Sequence, residues 1–427
     1  MKYFLTLIQL WVGFLSICAS YPKANIWIIP SVESPQVYRN YAQTSKVHLE
    51  MARGEVEHIQ LVFPSKVNEE YRFTFDRYLK GIQISARELK KMNGYYDALV
   101  PFKNQLKCTD TLTAVWITVQ CPSRVPVGKY HQTIKIEGSK HFTIQLDYNV
   151  HHTTIPLKSS IPITVGVENR CMTECLNDKE ADKERQRWVD FVLSYRMTPV
   201  FGTQITPERW QYEHSFSPWA WNDKRSIRLL NDRRYSCYML PFFTLSENEL
   251  ASLLCNIQKK GKLKESLFYI WDEPAYMEDY EQIKRKVNII RKYASDARIL
   301  TTFFCGPRNG PRKGDLYAVF DYLKHHIHVA TISLAPCKGN EEEVQHIRYK
   351  VPEGIDWWSY VCWQPGGNEP NFLLQMKGIQ QRAIMWRTWK NGSQGFLYWN
   401  CNIYHKRNPF TYITDMPHGD GILIYPG

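Results

Sequence analysis

Leu267-Phe-Tyr-Ile-Trp-Asp-Glu-Pro274 is a short apolar run that stops on two adjacent acids and a proline. Five uncharged, largely aromatic residues without helical spacing read as a buried strand. Pro274 has no backbone N–H to donate, so it ends the strand there. Two carboxylates at the end of an apolar strand are costly unless they are paired or used.

The surrounding chain decides what kind of strand this is. Apolar segments recur at Ile163–Val167, Thr198–Phe201, Cys237–Phe243, Leu267–Trp271, Ile299–Phe304, Val329–Leu334, Trp357–Cys362 and Gly395–Trp399. Helical spacing fills several of the intervals, at Lys183–Tyr195, Glu247–Gln258, Tyr280–Tyr293 and Leu373–Trp389. Eight strand–helix units predict an α/β fold, a closed (β/α)8 barrel of the TIM type, with Asp272 and Glu273 at the carboxyl end of its fourth strand. Working back toward the amino terminus, the rhythm changes. Ile59-Gln-Leu-Val-Phe63, Ala114-Val-Trp-Ile-Thr-Val119 and Thr133-Ile-Lys-Ile136 are short alternating strands, and Val127-Gly128-Lys129 is a turn. This pattern predicts a β-sandwich. The organisation is therefore a leader over 1–20, a sandwich over 21–156 and the barrel over 157–427.

The leader, MKYFLTLIQLWVGFLSICAS, has a lysine, an apolar run and small residues, and predicts export with cleavage after Ser20. The run is short for a membrane span and no second one follows, so no stable span is expected. Losing Cys18 leaves ten cysteines, an even number compatible with extracellular disulfides. Asn391-Gly392-Ser393 is an acceptor for N-glycosylation in a eukaryotic host.

A net charge of +12 would suit nucleic acid, yet the basic residues are scattered and no zinc-finger, RNA-recognition or basic-helix pattern occurs. No nucleic-acid partner is expected; of the specific readings of this charge, an anionic polysaccharide is the better. The chain has 14 Trp and 26 Tyr, flat rings with polar edges that suit stacking on sugars. His325-His326-Ile-His328 and His151-His152 have no partner at zinc-site spacing. Neither a phosphate-binding glycine loop nor a Gly-x-Ser-x-Gly elbow is found. No metal and no cofactor are expected.

The acid pair has two readings. As helix-capping groups, Asp272 or Glu273 would start the next helix, with Glu278 and Asp279 as first-turn acids. As catalytic groups on a barrel, they would belong to a glycoside hydrolase. Two-carboxylate retaining hydrolases place an acid/base and a nucleophile about 5 Å apart, the latter near strand seven. Strand seven here, Ile355-Asp-Trp-Trp-Ser-Tyr-Val-Cys-Trp-Gln-Pro365, ends on Trp363 and Gln364. Asp356 lies at its other end and Glu369 in the loop beyond. Substrate-assisted hydrolysis fits this lack of a nucleophile, because the 2-acetamido oxygen of the sugar attacks the anomeric carbon. It needs one acid/base and a neighbouring carboxylate that steadies the oxazoline-like intermediate.

These motifs resemble glycoside hydrolase family 123, the β-N-acetylgalactosaminidases, over nearly the whole chain beyond the leader. The resemblance rests on Ala52-Arg-Gly-Glu-Val-Glu-His-Ile-Gln60, Val119–Tyr130, Tyr195-Arg-Met-Thr-Pro199, Tyr269-Ile-Trp-Asp-Glu-Pro274, Trp357-Trp358 with Gln364-Pro365, and Gly395-Phe-Leu-Tyr-Trp-Asn400. It implies Glu273 as general acid/base and Asp272 as the group that orients the acetamido arm. Tyr398, Trp399 and Asn400, together with Trp271 and Trp363, are the candidate sugar-binding wall. The chain stops at Gly419-Asp-Gly-Ile-Leu-Ile-Tyr-Pro-Gly427, where members of that family usually continue. A shortened rim, an altered substrate range or a retired glycan-binding relative would follow from that. A hydrolase of another sugar, with Asp315 or Glu369 as base, is the further alternative.

Overall fold

Alternating side chains in the first part of the chain form ten strands: β1 (Trp27–Pro30), β2 (Lys46–Arg53), β3 (Val56–Pro64), β4 (Glu70–Phe75), β5 (Gln83–Met92), β6 (Tyr95–Pro101), β7 (Gln105–Lys107), β8 (Leu112–Gln120), β9 (Gly128–Glu137) and β10 (His141–Thr154). They make two five-stranded sheets, ordered β1-β3-β8-β5-β6 and β2-β10-β9-β4-β7. Every second residue faces a shared core, with Ile59, Leu61 and Phe63 from one sheet meeting Phe73, Ile134, Ile136 and Leu146 from the other. In this computed structural model the described residues are 25–425, apart from 77–80, 175, 207–210, 337–340, 351–353, 405–406, 409 and 412–416. The leader and its cleavage site lie outside them.

The second part begins with β11 (Ile163–Glu168) and continues through α1 (Asn169–Thr173), α2 (Asp178–Ser194), β12 (Thr198–Thr206), β13 (Gln211–Ser215), α3 (Lys224–Leu229), β14 (Tyr238–Met239), α4 (Glu247–Lys259) and β15 (Ser266–Trp271). It ends with α5 (Met277–Arg291), β16 (Arg298–Phe303), α6 (Leu316–Leu323), β17 (Val329–Ser333), α7 (Glu341–Lys350), β18 (Asp356–Val361), α8 (Gly378–Lys390) and β19 (Gly395–Tyr398). Helix starts follow local chemistry. Asn177 with Glu180, and Ser246 with Glu249, each form a reciprocal capping box at the first turns of α2 and α4.

All eight expected barrel strands are present and run parallel, but the sheet is not the simple closed eight-stranded ring that was expected. It is nine-stranded and nearly closed, in the order β13-β12-β11-β19-β18-β17-β16-β15-β14. The ninth strand, β13, pairs antiparallel with β12 and stands where β12 would have met β14. Single contacts bridge the gap: the Phe216 N–H donates to the Met239 carbonyl at 2.7 Å, and the Thr198 and Ser236 hydroxyls lie 2.8 Å apart.

Period-two alternation sorts the barrel residues. Leu267, Tyr269, Leu300, Trp358, Tyr360 and Leu397 fill the lumen, whereas Phe268, Ile270, Ile299 and Phe396 pack outward under the helices. Each such large side chain, once fully buried, contributes about 1.5–3 kcal/mol of transfer free energy. The lumen is thus a packed floor, and only its carboxyl end is open to a ligand. Among the described cysteines, Cys108, Cys121, Cys237, Cys255, Cys305, Cys362 and Cys401 are free thiols, five of them buried; Cys175 and Cys337 lie outside the described residues.

Candidate active site

The carboxyl ends of β11, β12, β15 and β19, with β13, surround a cleft enclosing about 570 Å³ including its mouth, within the ~300–1,000 Å³ of small-molecule sites. Its walls include Tyr212, His214, Tyr269, Asp272, Trp399 and Asn400. Gly166 on β11 permits the shape, because a Cβ there would sit 1.8 Å from the Trp399 carbonyl oxygen.

Asp272 and Glu273 follow the last residue of β15, at the open end of the barrel. They do not cap the next helix. That duty falls to Asp279, whose Oδ2 accepts from the backbone N–H groups of Ala275 and Tyr276, both at 2.9 Å. Asp272 Oδ1 accepts from the Tyr269 hydroxyl at 2.7 Å and from Thr302 Oγ1 at 2.8 Å. Thr302 is buried near the end of β16, and its hydroxyl also accepts the Glu273 backbone N–H at 2.9 Å. One threonine therefore fixes both members of the pair.

Glu273 has a left-handed backbone, φ +42°, which an L-residue with a Cβ adopts at a cost. The Tyr360 hydroxyl, rising from β18, donates to Glu273 Oε1. Burial, and next the negative charge of Asp272, raise the Glu273 carboxyl above the usual glutamate range, while the Tyr360 hydrogen bond and the Arg308 charge act in the opposite sense. A carboxyl with a raised pKa beside a second, anchored carboxyl is an arrangement that suits general acid catalysis.

His214 stacks on Tyr269 with ring centroids 4.3 Å apart and planes 11° from parallel. Burial lowers its pKa to about 3, so it stays a neutral imidazole on the cleft wall. Trp399 is oriented from behind. Its Nε1 donates to Asp420 Oδ1 at 2.9 Å, and the Tyr398 hydroxyl donates to the same oxygen at 3.2 Å. Burial pushes the Asp420 carboxyl up to about 6.

The structure separates the expected wall residues. Trp399 and Asn400 line the cleft. Tyr398 reaches its edge, but the ring is buried against Phe372, 5.0 Å away, and serves to hold Asp420. Trp271 is not a wall residue. A register shift between Tyr269 and Trp271 turns it out of the lumen, into the core beneath α5 and 5.6 Å from the Lys286 ammonium. Trp363 stands 47% exposed after β18, outside the cleft lining. The distant carboxylates are engaged elsewhere: Asp315 caps α6 and pairs with Arg312 at 2.7 Å, and Glu369 pairs with Arg387 at 3.5 Å. Sequence reading missed Tyr212, His214, Thr302, Tyr360 and Asp420. For Thr302 and Tyr360 the signal existed, since alternation from Leu300 and Trp358 aims both into the lumen.

A search of curated protein sequences gives no match. Among solved structures, a family 123 glycoside hydrolase from Clostridium perfringens, described in connection with glycolipid glycan hydrolysis, superposes with a TM-score of 0.63 at 14% identity, covering 94% of this chain and 83% of its own. A glycosyl hydrolase family 2 member from Bacteroides cellulosilyticus gives a TM-score of 0.33 at 11% identity, covering 82% of this chain and 44% of its own. The model of the glycoside hydrolase 123 catalytic domain matches residues 183–427, more than half of the chain, so this protein belongs to glycoside hydrolase family 123 and is a glycosidase.

Proposed function

We propose that the protein is a secreted, retaining, exo-acting β-N-acetylhexosaminidase, of the galactosaminidase type, that uses the substrate's own 2-acetamido group as nucleophile. The observation that carries this reading is the contrast between the ends of β15 and β18. The first supplies two adjacent carboxyls, and the second supplies Tyr360, a hydrogen-bond donor to Glu273, where a two-carboxylate retaining enzyme would place its nucleophile.

In the proposed reaction Glu273 protonates the glycosidic oxygen as the acetamido oxygen attacks C1. Asp272, held by Tyr269 and Thr302, accepts the amide N–H and balances the growing positive charge. Water, deprotonated by Glu273, then opens the cyclic intermediate with net retention. Trp399 supplies a stacking face, and the neutral His214 adds one donor and one acceptor for sugar hydroxyls. The apolar leader supports the export part of the proposal.

Nitrophenyl glycosides with and without a 2-acetamido group provide the test. Hydrolysis is expected only of the 2-acetamido sugars, with N-acetylgalactosaminide preferred. Comparable turnover of the plain galactoside would overturn substrate assistance.

The pH profile gives a second check. The Tyr360 hydrogen bond favours ionised Glu273, so Tyr360→Phe raises the acid's pKa further. Activity is lost when Glu273 deprotonates, and the basic limb of kcat/KM should therefore move to higher pH. A limb that stays in place or moves down would remove Glu273 from the role of acid.

A further inference from the structure

Helix α8 presents an outward stripe that no other part of the described chain covers. Ile379 is 52% exposed, Trp386 69% and Trp389 74%. Their spacing, with Arg382 between them, keeps them on one side of the helix, while Ile384 and Thr388 face the barrel. Exposed Tyr349 of α7 adjoins the far end, where it shares a groove with Lys390.

Within α8 itself the charge has one sign. From Gly378 to Lys390 the helix has no acidic residue, and Lys377, Arg382 and Lys390 are all exposed. Arg382 also acts on Glu57 of the sandwich. Arg387, on the flank, is occupied by Glu341 at 2.7 Å and Glu369 at 3.5 Å. Glu341, in the first turn of α7, lines the groove that holds Tyr349 and Lys390.

Two exposed indoles, an exposed isoleucine and three cations on a rigid helix form the pattern of an interfacial membrane contact. Aromatic rings and aliphatic side chains enter the headgroup region, and lysine and arginine reach the lipid phosphates. We propose that the outer face of α8 docks this glycosidase peripherally on an anionic lipid membrane. No described helix is long and apolar enough to cross a membrane, so the contact is with the surface. Because α8 runs antiparallel to β18 and β19, Lys377 and Ile379 lie at the end of the barrel that carries the cleft, and docking sets the cleft mouth beside the lipid plane.

Co-sedimentation tests this with the whole protein as recovered from its expression host, on vesicles of phosphatidylcholine alone or mixed with phosphatidylserine. Wild type is expected to bind the mixed vesicles, to lose affinity with added salt, and to bind pure phosphatidylcholine poorly. Trp386→Ser with Trp389→Ser should weaken binding roughly tenfold or more, from the apolar surface no longer withdrawn from water. Lys377→Gln, Arg382→Gln and Lys390→Gln should each cost roughly fivefold on the mixed vesicles. All these positions are exposed and none lines the cleft, so melting temperature and hydrolysis of a soluble glycoside should stay at wild-type values. Failure to bind mixed vesicles, or binding equal in wild type and both variant sets, overturns the proposal. So does heparin binding lost in the variants without vesicle binding, which would assign the face to an anionic polysaccharide. A dimer that dissociates in the tryptophan variant would assign it to a second copy of the chain.

Discussion

Glu273→Gln is expected to lose roughly two to four orders of magnitude in kcat on substrates with poor leaving groups, the scale of general acid catalysis. Glutamine keeps the volume and can still meet the Tyr360 hydroxyl, but it has no proton to give. The loss should shrink on activated aryl glycosides, whose leaving groups depart with little protonation. Steady-state kinetics on a leaving-group series is the measurement. A uniform loss across the series would mean that Glu273 holds the site together and does not act as its acid.

The second large effect belongs to Asp272→Asn. This change keeps the size of the side chain and its contacts with Tyr269 and Thr302, but removes the charge that in the proposed mechanism balances the cyclic intermediate. A loss of about 10²–10³ in kcat is expected, the cost of deleting one preorganised electrostatic partner, with substrate binding weakened far less. Since the Asp272 charge raises the Glu273 carboxyl, the variant's basic limb should also move to lower pH, opposite to Tyr360→Phe. A thiazoline analogue of N-acetylgalactosamine should inhibit wild type well below substrate concentrations. Mass spectrometry after reaction with a 2-fluoro glycoside decides between mechanisms. A covalent adduct on any Asp or Glu would establish an enzymic nucleophile and end the substrate-assisted reading.

Much of this was legible in the sequence because burial on both faces leaves a plain mark. Leu267–Trp271 is a continuous apolar run, as expected of a strand in a parallel sheet covered on both faces. The same criterion fails for β13. Gln211-Tyr-Glu-His-Ser215 is polar throughout, yet it carries His214 into the cleft. Glu213 is tolerated in that strand because its carboxylate accepts the Phe242 and Thr244 N–H groups at 2.8 and 2.7 Å. Trp271 misled for another reason: strict alternation sends it inward with Leu267 and Tyr269, and only the irregularity at the strand's end reverses it. Asp420 meets Trp399 across 21 residues of sequence, through a contact that no local pattern encodes.

The left-handed backbone of Glu273 has a consequence beyond the reaction. Holding a residue with a Cβ there costs about 1–3 kcal/mol, and glycine carries no such penalty. Folding alone would therefore favour glycine at this one position, whereas the proposed acid requires a carboxyl. Glu273→Gly would shed that backbone cost but leave the buried Tyr360 hydroxyl without its acceptor, while Asp272 would keep its bonds to Tyr269 and Thr302. At the end of the fourth parallel strand, Asp272-Glu273-Pro274 thus sets a glutamate on a backbone that favours glycine.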